Sequence, residues 1–559
     1  MRSVWTKFRR EDLVFLILAA VLSGVYVLSA GPGFPLDDSW IHQVYGRNLA
    51  QTGIWSFVPG IPSAASTSPL YTVLLSVGYR LNIPFGLWTP FLGVVALWVT
   101  AMLGARLVER LLPGRRYAFL IGGVAQVGTW HLIWAAVSGM ETGLFAMWTL
   151  ALIALAWREG DGLSSATRLV ALRGGFFGLV SGLAVVTRPE GLVMIGLIGL
   201  LMVIAQMLSR QAMASQPTTK VPMQSLTAET QRTQRNAESV GYFQTGGWRG
   251  LFIWGGAAAV VFMVVLTPYL ILNLQITGGL LPDTAAAKTA QNAPLLKASF
   301  PSRVVSMVTP LVAGTLLFLI PGIVGWTITQ ARQMTRGSVL VWLPLLWGIG
   351  LIGLYAARLP AYYHHGRYVI PALPVFIVLG TVGTLELLQA GRRTMAGRVL
   401  SRTLAVSTAL AYVYFALVAG RGVYVEDVTI INEEMVTAAH WIKDHIPPDQ
   451  LLAIHDIGAV GYFAARPIVD LAGLVSPEVI PFINDEESLW SWLKGYDAKF
   501  LMAFPDQIPG DNAEDSRLCL VYTTNGPTAR SIGGPNMAVY ALTWDGVCPK
   551  VDSLGEAGS

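Results

Sequence analysis

Long apolar runs with almost no charge constrain this chain more than any other feature. The first extends from about Leu13 to Phe34, and ten more lie near residues 84–105, 117–137, 143–157, 174–187, 191–208, 249–272, 304–328, 338–357, 368–389 and 403–420. Roughly 20 apolar residues suffice for a helix to cross a bilayer. Of the 559 residues, 53% are hydrophobic and 13% are charged, whereas soluble domains have about 25% charged residues. This composition excludes a soluble enzyme, a disordered protein and a disulfide scaffold. It predicts an all-α polytopic membrane protein.

The segment Thr67–Tyr79 decides the predicted topology. It is apolar but too short for a full crossing, which favours a re-entrant or interfacial helix. The chain then has about 11 transmembrane helices, with the N-terminus in the cytoplasm and the C-terminus outside. In that arrangement 22 of the 30 basic residues before Arg421 face the cytoplasm and 8 face outward. If the segment crossed, this bias would largely reverse, so the positive-inside rule supports the 11-span prediction.

Two parts of the chain are predicted to lie outside the membrane. Residues 209–248 are rich in Gln, Thr, Ser and Ala and are typical of a flexible cytoplasmic linker. They interrupt a transmembrane domain of residues 1–420, in which residues 35–80 form the first outer loop. Residues 421–559 hold 20 acidic and 8 basic residues, and short apolar runs separated by Gly and Pro predict a small extracytoplasmic α/β domain. Its two cysteines, Cys519 and Cys548, could pair if that side is oxidising.

Carboxylates facing outward from the membrane part are few, and all lie in loops at a membrane edge. They are Asp37, Asp38, Glu141, Glu190 and Asp283. Ionisable groups at a membrane edge are costly, so one hypothesis is that these carboxylates form a shared functional site. The other is that they are ordinary loop residues exposed to water. In the adjacent pair Asp37 and Asp38, repulsion raises one pKa and suits that group to accept a proton. The pair could instead bind a divalent cation, or simply end the first span.

Aromatic residues are frequent in the loop that follows this acidic pair. They are Trp40, His42, Tyr45, Trp55 and Phe57. Such side chains suit either an interfacial anchor or stacking against the apolar face of a sugar.

The outward-facing cations are the second half of the candidate site. They are Arg188, Lys288, Arg358, His364, His365 and Arg367. A guanidinium at the membrane edge can bind a lipid-linked phosphate through paired hydrogen bonds. Contact with lipid headgroups explains a single arginine equally well. No P-loop occurs, and the one GxGxxG match, GIGLIG at 348–353, lies inside a predicted membrane span, so no nucleotide donor is indicated. The basic residues follow the membrane topology and predict no nucleic-acid partner.

Several ordered motifs resemble those of the GT-C superfamily of membrane glycosyltransferases, which use polyprenyl-phosphate sugars. Within it, the chain is most similar to bacterial terminal arabinofuranosyltransferase-like proteins. The motifs are LDDSWIHQVYGRNLAQTGIWSFVPG with STSPLYTVLL, SGMETGLFA at 138–146, TRPEG at 187–191, TGGLLPDTAAAK at 277–288, HHGRYVIPALP at 364–374 and HDIGAVGYFAARPIVDLAGLVSPE at 455–478.

This resemblance implies a role for each candidate residue. A carboxylate in the first outer loop, Asp37 or Asp38, would be the general base on an acceptor hydroxyl, with inversion at the anomeric carbon. Arg188, Lys288 and Arg367 would stabilise the departing polyprenyl phosphate. Glu141, Glu190, Asp283 and His365 complete the expected substrate-binding set. The resemblance identifies no definite cofactor, and a divalent cation at the acidic pair is an alternative.

The resemblance predicts sugar transfer to a cell-envelope glycan, lipid or protein at the outer face of a bacterial plasma membrane. A transporter or flippase of lipid-linked sugars is a competing hypothesis, but transporters place ionisable groups near the midplane of repeated halves, and no repeat is evident here. A non-catalytic envelope assembly protein, with residues 421–559 as its binding domain, is the third.

Overall fold

A computed structural model of the protein describes residues 8–160, 166–214, 247–280, 282–333 and 339–548. Within these ranges eight helices are long and apolar enough to cross a membrane, or up to ten if two bent helix pairs are each counted as one span. The bent pairs join Ala118–Val127 to Trp130–Val137 at 54° and Phe300–Val312 to Leu316–Arg332 at 114°. A helical polytopic membrane protein is therefore confirmed.

The α-helices follow the apolar runs closely. Up to the C-terminal domain they are Arg10–Ala30, Asp37–Thr52, Pro69–Arg80, Phe85–Leu111, Ala118–Val127, Trp130–Val137, Thr142–Gly160, Thr167–Val185, Gly191–Ala214, Gly247–Thr277, Thr284–Gln291, Phe300–Val312, Leu316–Arg332, Leu343–Arg358, Leu373–Ala390 and Met395–Tyr414. Most of the predicted linker, residues 215–246, lies outside the described residues.

Glycines set the closest helix–helix contacts. A Cβ added to Gly174 or Gly178 would lie 2.1 or 2.2 Å from the backbone oxygen of Trp254 or Ala258 on the facing helix. Small residues four positions apart let two membrane helices approach until their backbones touch. The run GGFFGLVSGL therefore fixes the pairing of Thr167–Val185 with Gly247–Thr277.

The first outer loop is folded rather than extended. It contains the helix Asp37–Thr52 and the 12-residue helix Pro69–Arg80, and neither is among the candidate membrane spans. Contrary to the expectation that its aromatic residues anchor in the interface or stack on sugars, Trp40, Tyr45 and Phe57 are buried in a core shared with the C-terminal domain. Burying these large rings stabilises the contact between loop and domain, since each removes a large apolar area from water.

One continuous helical rod connects the membrane part to the C-terminal domain. It extends from Met395 to His445, and two π-helical turns, Phe415–Ala419 and Asn432–Val436, separate its α-helical parts Met395–Tyr414, Gly420–Ile431 and Thr437–His445. The membrane domain and the C-terminal domain thus share a helix.

The C-terminal domain is a small α/β unit, as predicted. Its strands are β1 (Leu452–Ile454), β2 (Ile468–Asp470), β3 (Phe500–Ala503), β4 (Leu518–Thr523) and β5 (Ala538–Leu542), in the sheet order β2-β1-β3-β5-β4. Its helices are Ile457–Phe463, Glu486–Gly495 and Pro527–Ser531. β1 is parallel to both β2 and β3, whereas β5 is antiparallel to β3 and β4. Cys519 and Cys548 form a disulfide that ties β4 to the segment after β5.

Candidate active site

The two adjacent carboxylates of the first outer loop lie in different environments. Asp37 is 8% exposed, and its Oδ2 and Oδ1 accept hydrogen bonds from the backbone N–H groups of Gly458 (2.6 Å) and Ala459 (2.8 Å) in the C-terminal domain. Burial, together with the nearby Asp456 carboxylate, raises the pKa of Asp37 to about 8, and the two N–H donors oppose this shift. Asp37 therefore joins the loop to the C-terminal domain.

Asp38 instead pairs with two cations. Its Oδ2 lies 2.7 Å from Nη2 of Arg367 and 3.5 Å from Nζ of Lys288. Burial opposes ionisation, but the two cations outweigh it and hold the pKa of Asp38 well below its usual range. The Asp38 carboxylate is thus ionised at neutral pH.

The guanidinium of Arg367 does not use all of its hydrogen-bond donors within the described part of the chain. Its Nη2 donates to Asp38 and to the hydroxyl of Tyr368 at 3.1 Å. Its Nε and Nη1 atoms are buried and have no hydrogen-bond partner among the described residues. Buried donors without partners are costly in a finished fold, and a ligand with acceptor oxygens would satisfy them.

A strained turn presents this arginine. His364, His365 and Gly366 all have positive φ, at 50°, 57° and 70°. A histidine in this left-handed region costs roughly 1–3 kcal/mol and persists only where the surroundings hold it. Here Nε2 of His365 lies 2.8 Å from Oδ2 of Asp427, which also accepts a hydrogen bond from Nε1 of Trp134 at 2.8 Å. Asp427, which lies on the helical rod Met395–His445, thus holds the turn in place.

A cavity of about 490 Å³ opens beside Asp38, between the membrane part and the C-terminal domain. Its charged and polar lining comprises Asp37, Asp38, Lys288, Gln291, His364, Arg367, His455, Asp456, Asp506 and Gln507. Both domains therefore contribute side chains to the same space.

A second, smaller cavity of about 260 Å³ adjoins the first and shares Lys288, Arg367 and Tyr368 with it. Most of the surface that lines it is apolar, from side chains such as Met140, Leu354 and Leu359, but the charged Glu141, Arg188, Glu190 and Arg358 also form part of its wall. The cation pair is thus common to a polar cavity and an apolar one.

Arg188 forms a separate buried cluster in the wall of the smaller cavity. Its Nη2 donates to Oε1 of Glu190 at 3.0 Å and to the hydroxyl of Tyr355 at 2.6 Å, and its Nη1 lies 3.8 Å from Oε1 of Glu141. Glu141 also pairs with Nε2 of His42 at 3.3 Å. Burial opposes ionisation of Glu141, but His42 and Arg188 lower its pKa to about 2.

The residues proposed from the sequence thus divide into groups. Asp38, Lys288 and Arg367 lie together at the boundary of the two cavities, with Asp37 in the wall of the larger one. Glu141, Arg188 and Glu190 form the second cluster. Asp283 and His365 line neither of these two cavities.

Sequence reasoning missed the contributions of Tyr368, His455, Asp456 and Gln507, and it chose His365 where His364 lines the larger cavity. The motif HDIG offered a signal for His455 and Asp456, because it follows a short apolar run as strand ends do.

The oxygens of the acidic pair already have partners within the chain. Both oxygens of Asp37 accept backbone N–H groups, and Asp38 is paired with two cations that would repel a metal ion. In the described part of the chain, no group of three or more His, Cys, Asp or Glu side chains is arranged to hold a metal.

The chain matches one family model and is similar to several solved structures. A family model described as a domain of unknown function (DUF8728) matches residues 427–540. A comparison with curated proteins finds no match.

Solved structures are similar over nearly the whole chain. The ArnT structure from Cupriavidus metallidurans, bound to undecaprenyl phosphate, has a TM-score of 0.57 at 14% identity and covers 96% of this chain and 99% of that one. The oligosaccharyltransferase AglB from Archaeoglobus fulgidus, in complex with an inhibitory peptide and a dolichol-phosphate, has a TM-score of 0.51 at 12% identity and covers 89% and 70%. The arabinofuranosyltransferase AftD from Mycobacteria has a TM-score of 0.49 at 15% identity and covers 97% and 40%. The likeness to ArnT and AglB confirms the fold that the GT-C resemblance predicts.

Proposed function

We propose that the protein is a membrane glycosyltransferase that moves a sugar from a polyprenyl-phosphate donor to a hydroxyl of a cell-envelope acceptor. The observation that carries this proposal is the buried guanidinium of Arg367, with two donor atoms unpartnered among the described residues, beside Lys288. A phosphate monoester or diester supplies the anionic oxygens that these donors lack. Solved structures of the same fold contain undecaprenyl phosphate or a dolichol-phosphate, which supports a lipid-linked phosphate as this ligand.

The two cavities suit the two ends of such a donor. The smaller cavity has mainly apolar walls and shares Lys288 and Arg367 with the larger, polar one. With its phosphate on these cations, the donor would direct its lipid into the apolar space and its sugar into the polar space. The cluster of Glu141, Arg188 and Glu190 would then shape the wall beside the phosphate.

Asp38 would act as the general base in this reaction. Its carboxylate binds Nη2 of Arg367, while Nε and Nη1 of the same group stay available. The phosphate can therefore bind Arg367 without displacing Asp38, so that one guanidinium holds both the base and the leaving group. Asp37, which accepts two backbone N–H groups, is proposed to hold the loop rather than to take the proton.

The reaction is a single displacement. An acceptor oxygen attacks the anomeric carbon, its proton passes to the Asp38 carboxylate, and the bond between that carbon and the phosphate oxygen breaks. The products are the inverted glycoside and polyprenyl phosphate, whose developing charge Arg367 and Lys288 stabilise.

The site would lie at the outer face of a bacterial plasma membrane. A disulfide such as Cys519–Cys548 is typical of an oxidising compartment. This supports an extracytoplasmic C-terminal domain, as the distribution of basic residues predicts.

A single-turnover assay tests the proposal. Purified protein in detergent is mixed with a panel of polyprenyl-phosphate sugars and a cell-envelope extract as acceptor, and free polyprenyl phosphate is measured. We expect release by the wild type and a loss of roughly 10²–10⁴-fold in Asp38→Asn, the usual contribution of a general base. Asp444→Asn, which changes an exposed carboxylate in the C-terminal domain, is the matched control.

Other outcomes would redirect the assignment. Full activity of Asp38→Asn would remove it as the base. If no donor turns over and the protein instead moves lipid-linked sugar across vesicles, the transporter hypothesis replaces the transferase.

A further inference from the structure

The carboxyl ends of all three parallel strands of the C-terminal domain meet the larger cavity. His455 and Asp456 follow β1, Leu474 follows β2, and Phe504 and Gln507 follow β3, and all five line this cavity. In open α/β sheets, ligands bind outside the carboxyl ends of parallel strands, because the loops there converge. The domain therefore presents its binding edge to the cavity that also contains Asp38.

The polar groups at this edge are held in place before any ligand arrives. Asp456 Oδ1 lies 3.2 Å from Nδ1 of His455, and Oδ2 accepts a hydrogen bond from Nε2 of Gln507 at 2.8 Å. Gln507 is fixed in turn, because its Oε1 accepts the backbone N–H of Phe504 at 3.1 Å. On the membrane side, Nε2 of Gln291 lies 3.1 Å from Nε2 of His455.

We infer that this edge is the acceptor subsite and that it binds an uncharged carbohydrate through its hydroxyl groups. The inference rests on the proposed transferase function, which it deepens by naming the acceptor class. This edge offers both hydrogen-bond donors and acceptors, from the Asp456 carboxylate, the His455 imidazole and the amides of Gln507 and Gln291. Such a set suits hydroxyl groups, because each hydroxyl can donate and accept. Half-buried Phe504 and Leu474 supply apolar surface beside them, as ligand pockets commonly do.

Charge selects against acidic acceptors. Burial opposes ionisation of Asp456, but His455 outweighs it and lowers the pKa of Asp456. Asp506 also lines the cavity. An anionic sugar would therefore meet the carboxylates of Asp456 and Asp506 at this edge, where His455 is already paired with Asp456. The other cations of the cavity, Lys288 and Arg367, are engaged by Asp38 and the donor phosphate.

Binding can be measured without a donor. Saturation-transfer NMR on the full-length protein in detergent would use methyl glycosides of neutral pentoses and hexoses, methyl glucuronide and a serine- and threonine-containing peptide. We expect signals from at least one neutral glycoside, none from the glucuronide or the peptide, and at least tenfold weaker binding in Asp456→Asn and Gln507→Ala. Asp444→Asn serves as the exposed control on the same domain, and thermal unfolding shows whether each variant is folded.

The outcomes separate this inference from the transferase proposal. Absence of binding by every neutral glycoside, preference for the glucuronide or peptide, or unchanged binding in both folded variants overturns the acceptor subsite. If neutral glycosides bind as expected but no polyprenyl-phosphate donor turns over, the carbohydrate site stands and the transferase proposal fails. If donors turn over, Asp456→Asn should raise the KM for the acceptor at least tenfold and leave the KM for the donor unchanged.

Discussion

Arg188 and Arg367 are both buried arginines at the walls of adjoining cavities, but their surroundings differ. Arg188 lies between Glu141 and Glu190 and also binds the Tyr355 hydroxyl. Arg367 has one carboxylate partner, Asp38, and two nitrogen atoms without a partner among the described residues. A guanidinium surrounded by acids chiefly neutralises buried charge, whereas one with free donors is prepared for an anion that is not part of the chain.

The largest expected effect concerns the stability contribution of Arg188. In Arg188→Ala, the buried Glu141 and the partly buried Glu190 lose their shared cation, and breaking a buried pair costs about 3–5 kcal/mol. We expect a clear fall in the thermal unfolding temperature in detergent. Arg188→Lys keeps the charge and should recover part of the loss. A stable Arg188→Ala protein that has lost donor affinity would instead make Arg188 a phosphate ligand, as the sequence resemblance implies.

Arg367 should show the reverse pattern. Arg367→Ala removes the donors for the leaving phosphate, and loss of one such stabilising group lowers rates by roughly 10²–10³-fold. We expect kcat/KM to fall by that factor and the unfolding temperature to fall less than in Arg188→Ala, because Asp38 is partly exposed and keeps Lys288 as a partner. Arg367→Lys should remain impaired, since an ammonium cannot reproduce the planar fork.

The second cation of this cluster gives a matched comparison. Lys288→Ala should also reduce turnover, whereas Lys297→Ala, which changes an exposed lysine nine positions further along the chain, should not. If both lysine variants behave alike, or if Arg367→Ala unfolds the protein as Arg188→Ala does, the distinction between the two arginines is lost.

Much of this comparison could be predicted from the sequence, because charges are rare in the membrane part. Few ionisable groups lie at the outer edge of the membrane part, and Asp38, Lys288 and Arg367 are among them. The structure places these three side chains together. The apolar runs likewise predicted most of the helices. In the short segment at 67–79, its length and the distribution of basic residues around it indicated a helix that does not cross, and the helix Pro69–Arg80 is absent from the candidate spans.

Other features depend on backbone geometry and long-range contacts that no local pattern encodes. His364 and His365 are neighbours of the same type, and only the left-handed turn directs one to the cavity and the other to Asp427. The proposed acceptor subsite draws on three strand ends, whose convergence can be seen only once the sheet order is known. The aromatic residues of the first loop showed that the loop is not a simple tether, but not that the C-terminal domain buries them.

The last expected effect concerns Asp37, the neighbour of the proposed base, and it depends on pH. Its pKa is raised from 3.8 to about 8, chiefly by burial. Between those values the folded protein retains a proton that the unfolded chain releases, so stability falls as pH rises, by at most about 1.4 kcal/mol per pH unit. Asp37→Asn does not titrate at this position and lacks this slope. The stability advantage of wild type over Asp37→Asn should therefore shrink from pH 5 to pH 8 and then level off.

Unfolding temperatures of both proteins across this range, with Asp444→Asn as a control that should follow wild type, measure that difference. A constant advantage would mean that the two N–H donors from Gly458 and Ala459 keep Asp37 ionised throughout. Asp37 would then be a second carboxylate base in the cavity, and the assignment of proton transfer to Asp38 alone would rest only on its contact with Arg367.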